Sequence, residues 1–168
     1  ASWSRKTKPK SIVGGREDLF AATPPLEALR LLVSITATGT QTYGDNRHVI
    51  MINDVARAFF EAPMARTVCV ELPAEAGQPQ DHVGLLRLSL YGTRDAAANF
   101  QNEVRKFMLG LGFSQSGYSP SIYFHSHRGL RTLAHADDFV TYGSAEDALW
   151  FCAAWKTHCG SAQSGGNG

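Results

Sequence analysis

The stretch His48–Pro63, HVIMINDVARAFFEAP, decides how the rest of the chain is read. Val49 to Ile52 is a short run of β-branched and long apolar side chains, which predicts a strand buried on both faces. The run stops at Asn53–Asp54. Beyond it, Val55, Ala56, Arg57, Ala58, Phe59 and Phe60 fit helical spacing and strand-end bulk equally well. A carboxylate at the end of a buried strand needs a partner. It can cap a turn, pair with a base or bind a metal.

A second acidic site lies further along, in Leu133–Tyr142, LAHADDFVTY. Asp137 and Asp138 stand between two short apolar-polar runs, a pattern that predicts a β-hairpin with the acidic pair at its tip. Aspartate is also ordinary turn chemistry. Two strand-end carboxylate sites in one chain nevertheless suit a hard divalent cation, which takes its oxygen ligands from a few carboxylates.

The composition sets the bounds. A chain of 168 residues, 43% hydrophobic and 18% charged, is globular and long enough for one domain with a sizeable core. Its net charge of +1 excludes a strongly basic nucleic-acid clamp, so any grip on nucleic acid comes from local patches. Cys69, Cys152 and Cys159 have no metal-finger spacing and do not pair off evenly, which points to a reducing, intracellular compartment, cytoplasm or nucleus. No apolar run is long enough to span a bilayer, so no membrane partner is expected. The six histidines offer no zinc-site spacing.

Three regions are expected: a basic, poorly ordered segment 1–18, a domain over 19–157, and a disordered Gly/Ser tail over 158–168. Arg5, Lys6, Lys8, Lys10 and Arg16 read either as a phosphate-contacting patch or as a solvated terminus. Thr23 is the expected N-cap of a helix whose core face carries Leu26, Leu29, Leu32, Val33 and Thr36 and which ends at Gly39. Strands are expected over 67–72 and 85–90, followed by a turn at Tyr91–Gly92. Asp95 then caps a helix with Phe100, Val104, Phe107 and Leu111 along one stripe. Strands at 122–124 and 130–136 lead into the acidic hairpin, and Ser144 to Asp147 reads as a cap for a last helix.

In order and at compatible spacing, IMINDVARAFFEAP, VCVELP, LRLSLYGTRDAAANF, LGFSQSGYSPSIYF and LAHADDFVTYG resemble the reverse transcriptase domain of copia-type LTR retrotransposons. The resemblance covers roughly Asp18 to Gly143 and is specific as a set, each piece alone being weak. It implies an α+β fold with an antiparallel palm sheet carrying the acids, packed helices and a partial fingers region. It implies an RNA-directed DNA polymerase that transfers a nucleotide from a dNTP to a primer 3′-hydroxyl. By the same resemblance Asp54, Asp137, Asp138 and the Val55 carbonyl hold Mg²⁺, with Mn²⁺ as the alternative. Phe59, five positions after Asp54, would lie under the sugar and select deoxynucleotides, and Arg94 would contact phosphate. The implied partners are an RNA or DNA template-primer and flanking polyprotein domains, integrase and ribonuclease H.

The chain departs from that pattern in two places. Asp95 stands where the family usually has Gln, putting a negative charge where the resemblance puts a triphosphate. His135–Ala136 stands where Tyr-Val is usual before the acidic pair. Two other readings therefore stay open: an inactive relic or nucleic-acid-binding module of the same fold, and an unrelated metal-dependent nuclease or phosphotransferase.

Overall fold

The computed structural model describes residues 2–5, 21–39, 48–55, 58–79 and 82–164. The elements in chain order are β1 (Ser2–Arg5), α1 (Leu26–Gly39), β2 (His48–Asp54), β3 (Pro63–Glu71), β4 (His82–Leu88), α2 (Ala96–Gly110), β5 (Ser114–Gln115), β6 (Ile122–His125), β7 (Leu130–His135), β8 (Asp138–Ser144) and α3 (Ala145–Ser164). Helices are mixed with antiparallel sheets, so the class is α+β. The chain divides into two compact units, residues 1–21 with 57–103 and residues 22–56 with 104–168. The expected single domain over 19–157 thus has two parts, and their boundary falls inside α2.

The first unit holds a three-stranded sheet in the order β1-β4-β3. Its buried apolar residues are mostly small, Ala58, Ala62, Ala96 and Ala98 beside the larger Phe100, and Ser89, Asp95 and Asn99 are the buried polar ones. Ser2–Arg5 pairs antiparallel with β4. Lys10, Arg16 and the rest of segment 1–18 lie outside the described residues.

The second unit holds a five-stranded antiparallel sheet in the order β2-β8-β7-β6-β5. Period-two alternation sorts its side chains onto two faces. On one face Ile50, Ile122, Leu133, Val140 and Tyr142 pack with Ala28, Leu32 and Ile35 of α1. On the other, Phe139 packs at a tilt against Trp155 of α3, 4.8 Å between ring centroids. Trp155 in turn meets Phe107 edge-on at 4.4 Å. The Thr132 and Thr141 hydroxyls, fully buried and directly opposite, satisfy each other at 3.1 Å. A Cβ at Gly143 would run into Leu130 Cδ2, so any larger residue there requires the fully buried Leu130 side chain to shift.

Several elements differ from the sequence reading for identifiable reasons. β2 is a strand, but it is not buried on both faces. Among the described residues it forms the sheet edge, none of its seven residues is fully buried, and Ile52 is 70% exposed. The core face of α1 is Ala28–Leu32–Ile35, whereas Leu26 and Val33 are more than half exposed. Thr23 is not its N-cap. Each residue before a proline is pushed out of the helical region, so the helix starts only after Pro25, whose carbonyl accepts the Ala28 N–H at 3.0 Å. The expected cap of α3 is present. Asp147 N–H donates to Ser144 Oγ at 3.1 Å and the Ser144 hydroxyl returns a bond to the Asp147 carboxylate at 2.6 Å. From that cap α3 runs to Ser164, through residues assigned by composition to the tail, because extending a formed helix costs far less than starting one.

Candidate functional site

Strand register builds the acidic end of the second unit. His135 pairs with Asp138, which leaves Ala136 and Asp137 as a two-residue hairpin loop. Ala136 has φ 52°, and it is the one non-glycine residue with positive φ among those described. Positive φ at the first loop position alone is the sense of a type II′ turn, whose twist matches the flanking strands. Glycine is usual there, and an alanine Cβ makes the conformation cost about 1–2 kcal/mol. The hairpin tip is therefore a strained turn.

β2 enters from the side. Its pairing with β8 runs unbroken from His48↔Ser144 to Asp54↔Asp138, so Asp54 lies directly opposite Asp138. Residues directly opposite share a face, with Cβ atoms about 4.5–5.5 Å apart, and like charges in that relation repel. Val55 N–H donates to the Asp137 carbonyl at 2.9 Å, tying the chain just after Asp54 to the hairpin tip. Val55 itself is buried, Asp137 is half-buried, and Asp54 and Asp138 are exposed. Among the described residues no Lys, Arg or His side chain forms an ion pair with these three acids. Nor do three or more His, Cys, Asp or Glu side chains gather there as a ready metal-ligand set.

The resemblance groups Asp54, Asp137 and Asp138 without distinguishing their places. By register it is Asp138 that faces Asp54, while Asp137 sits in the loop with its carbonyl already engaged. His135 is exposed at the end of β7.

The remaining candidates belong to the first unit. Phe59 lies in a 3₁₀ turn, Ala58–Glu61, half-buried, with its ring 4.5 Å from Tyr91 and 6.0 Å from Phe100. Phe60 touches Tyr91 from 5.9 Å, so the half-exposed Tyr91 ring is flanked by both phenylalanines. Gly92, at φ 88°, makes the turn that follows. Arg94 is exposed. Ala56 and Arg57 lie outside the described residues.

Asp95 is engaged within the first unit: it is 5% exposed and its carboxylate has partners there. Arg66 donates to one oxygen at 3.1 Å and Asn99 Nδ2 reaches the other at 3.4 Å. Asn99 Nδ2 also donates to the fully buried Ser89 hydroxyl at 3.0 Å. Burial alone would raise the Asp95 carboxyl. The Arg66 hydrogen bond, a bond from its own backbone N–H and the Arg66 charge outweigh it and hold the group below the ordinary value of 3.8. The sequence reading did not single out Arg66, Ser89 or Asn99. The four-residue spacing of Asp95 and Asn99 at a helix start was a usable signal, whereas nothing local connects Arg66 to either.

No protein-family model matches the chain. Among the described residues no helix is long and apolar enough to cross a membrane.

Proposed function

We propose that the chain is a reverse transcriptase domain of the copia type, in which the five-stranded sheet serves as the polymerase palm. The observation that carries the reading is the register that sets Asp54 opposite Asp138 with Asp137 in the adjoining hairpin loop. Two exposed like charges held face to face cost stability unless a cation bridges them. Carboxylate oxygens are the donors that Mg²⁺ or Mn²⁺ takes, so the residues present fit the ion.

In this reading Asp54 and Asp138 supply oxygen ligands from neighbouring strands, and Asp137 and the Val55 carbonyl complete the set from the loop and the strand end. Held by these residues, Mg²⁺ would lower the pKa of a primer 3′-hydroxyl and neutralise the charge on the pyrophosphate leaving group. The bond from Val55 N–H to the Asp137 carbonyl fixes the strand end against the hairpin, so the acids are oriented before substrate arrives. By the resemblance Phe59, which lies against Tyr91, would meet the sugar of an incoming nucleotide and select deoxynucleotides. Exposed Arg94 is free to meet phosphate. Template-primer and dNTP are the substrates, and integrase and ribonuclease H domains are the expected neighbours in a polyprotein.

A second reading, a non-catalytic module of the same fold, is favoured by the weak net charge of +1 and by Asp95 in place of the family's Gln. Primer extension on a homopolymer template separates the two. The polymerase reading expects Mg²⁺-dependent incorporation that Asp54→Asn and Asp137→Asn each abolish while circular dichroism stays unchanged. Extension surviving in both variants would sink the site. If the wild-type chain gives no extension and Mn²⁺ does not shift its melting temperature, the non-catalytic module is supported.

A further inference from the structure

The first unit has a basic patch built around its one buried carboxylate. β3 and β4 pair antiparallel, but their register shifts from Pro63↔Leu88 to Val68↔Leu86. Residues 64–67 of β3 therefore stand against Arg87 alone. Irregularities of this kind re-aim side chains, and Arg66, on the irregular stretch, reaches Asp95 at 3.1 Å. Arg87 precedes Ser89 by two residues, so strand alternation puts the two on one side. That side faces Asp95, because Asn99 Nδ2 meets both the Ser89 hydroxyl and the Asp95 carboxylate. Arg94 precedes Asp95 directly in the chain. Asp95 thus has one arginine bound to it, a second on the strand opposite and a third beside it in sequence.

The donors of these arginines are largely unspent. The Arg66 side chain is 46% exposed, with one nitrogen engaged by Asp95. Arg87 and Arg94 are exposed, and among the described residues neither forms an ion pair. A guanidinium keeps its charge at any working pH, and its planar fork matches the oxygens of a phosphate. A buried partner holds Arg66 in place before any ligand arrives. We propose that Arg66, Arg87 and Arg94 form a phosphate-binding site on the first unit, which takes a phosphodiester or a polyphosphate anion. The site extends the reading above, on which the phosphate role of Arg94 rests, yet it needs neither the acids of the second unit nor a metal. A nucleic-acid backbone and a free polyphosphate share this chemistry, and the test separates them.

The test is calorimetric titration of the full chain with inorganic tripolyphosphate, at low salt and without divalent metal. The expected result is binding that weakens as salt rises and that Arg87→Gln and Arg94→Gln each reduce by about threefold, the scale of an exposed charge contact. Arg66→Gln should reduce it further. That change also frees Asp95, so the two exposed arginines, unpaired in the fold, keep the test decisive if Arg66→Gln unfolds the chain. Arg131→Gln, in the second unit, should bind as wild type does. If short single-stranded DNA displaces tripolyphosphate, the site holds a nucleic-acid backbone; if it does not, the site holds a free polyphosphate. Absence of binding by either probe overturns the proposal. So does binding that Arg87→Gln and Arg94→Gln leave unchanged, or an equal loss in Arg131→Gln, which would mean a response to net charge alone. Asp54→Asn should bind normally: binding without primer extension removes the polymerase reading and leaves this site, whereas extension without binding does the reverse.

Discussion

Asp95 and the Asp54–Asp138 pair are carboxylates in opposite circumstances. Asp95 is buried in the first unit, and Arg66, Asn99 and its own backbone N–H meet its oxygens. Asp54 and Asp138 stand exposed in the second unit, aligned with each other, with no cationic side chain paired to either among the described residues. A carboxylate whose partners are already in the chain is part of the architecture. Carboxylates that the backbone forces together unpartnered are available for an incoming cation. Composition cannot tell the two apart, since both are aspartates beside a turn; only the partners can.

The largest expected effect breaks the buried side of this contrast. Asp95→Ala leaves the Asn99 amide and the Ser89 hydroxyl with an incomplete network and removes the Arg66 ion pair. It should destabilise the protein by about 2–3 kcal/mol, read by urea unfolding. The effect belongs at the lower end of what buried pairs show, because the Arg66 side chain is 46% exposed and stays solvated when its partner goes.

The pH profile sharpens the same point. The native carboxyl of Asp95 is held below 3.8, so its contribution is fully present above that value and is lost as the pH falls through the lowered native one. Asp147, lowered by hydrogen bonds from Ser144 and Arg128, acts in the same direction. Acid unfolding of Asp95→Asn should therefore show a shallower loss of stability below pH 3.8 than wild type. An unchanged acid limb would mean that the network does not form in solution.

Smaller effects probe the exposed side. Ala136→Gly relieves the positive φ at the hairpin tip and should stabilise the chain by about 1 kcal/mol in thermal melts. If the strained tip positions Asp137, the same change lowers primer extension even as the melting temperature rises. Asp138→Asn removes one of two facing charges and should raise stability by a few tenths of a kcal/mol at low salt, with the gain fading as salt screens the pair. A loss of stability on that change would mean that Asp138 has a structural partner, as Asp95 does.

How far the sequence could be read depended on how local the cause was. The hairpin was legible because Asp-Asp between alternating runs is a local signal, and the α3 cap was legible because Ser144 and Asp147 are three residues apart. The exposure of β2 was not, since an apolar run looks the same at a sheet edge as in a sheet centre, and only the neighbouring strands decide. Helix α1 carries leucines on several sides, so periodicity could not choose Ala28–Leu32–Ile35 over Leu26–Leu29–Val33. At the site, the acids and their order were visible, but their alignment was not. That Asp138 rather than Asp137 faces Asp54 follows from a two-residue loop whose first member adopts a conformation alanine rarely takes. Arg66 lies 29 positions from Asp95, beyond any local pattern.

The junction at Ser144 has a mechanical consequence. β8 ends at Ser144 and α3 begins at Ala145, with no loop to absorb motion between them. Asp138 and the helix cap are thus the two ends of one rod of seven residues, about 23 Å long. The far end is bolted down by Arg128, which grips Asp147 at 2.7 Å while lying over the Trp150 ring. Arg128→Ala removes that hold at the helix start, while the strands paired on both sides of β8 keep Asp138 in register with Asp54.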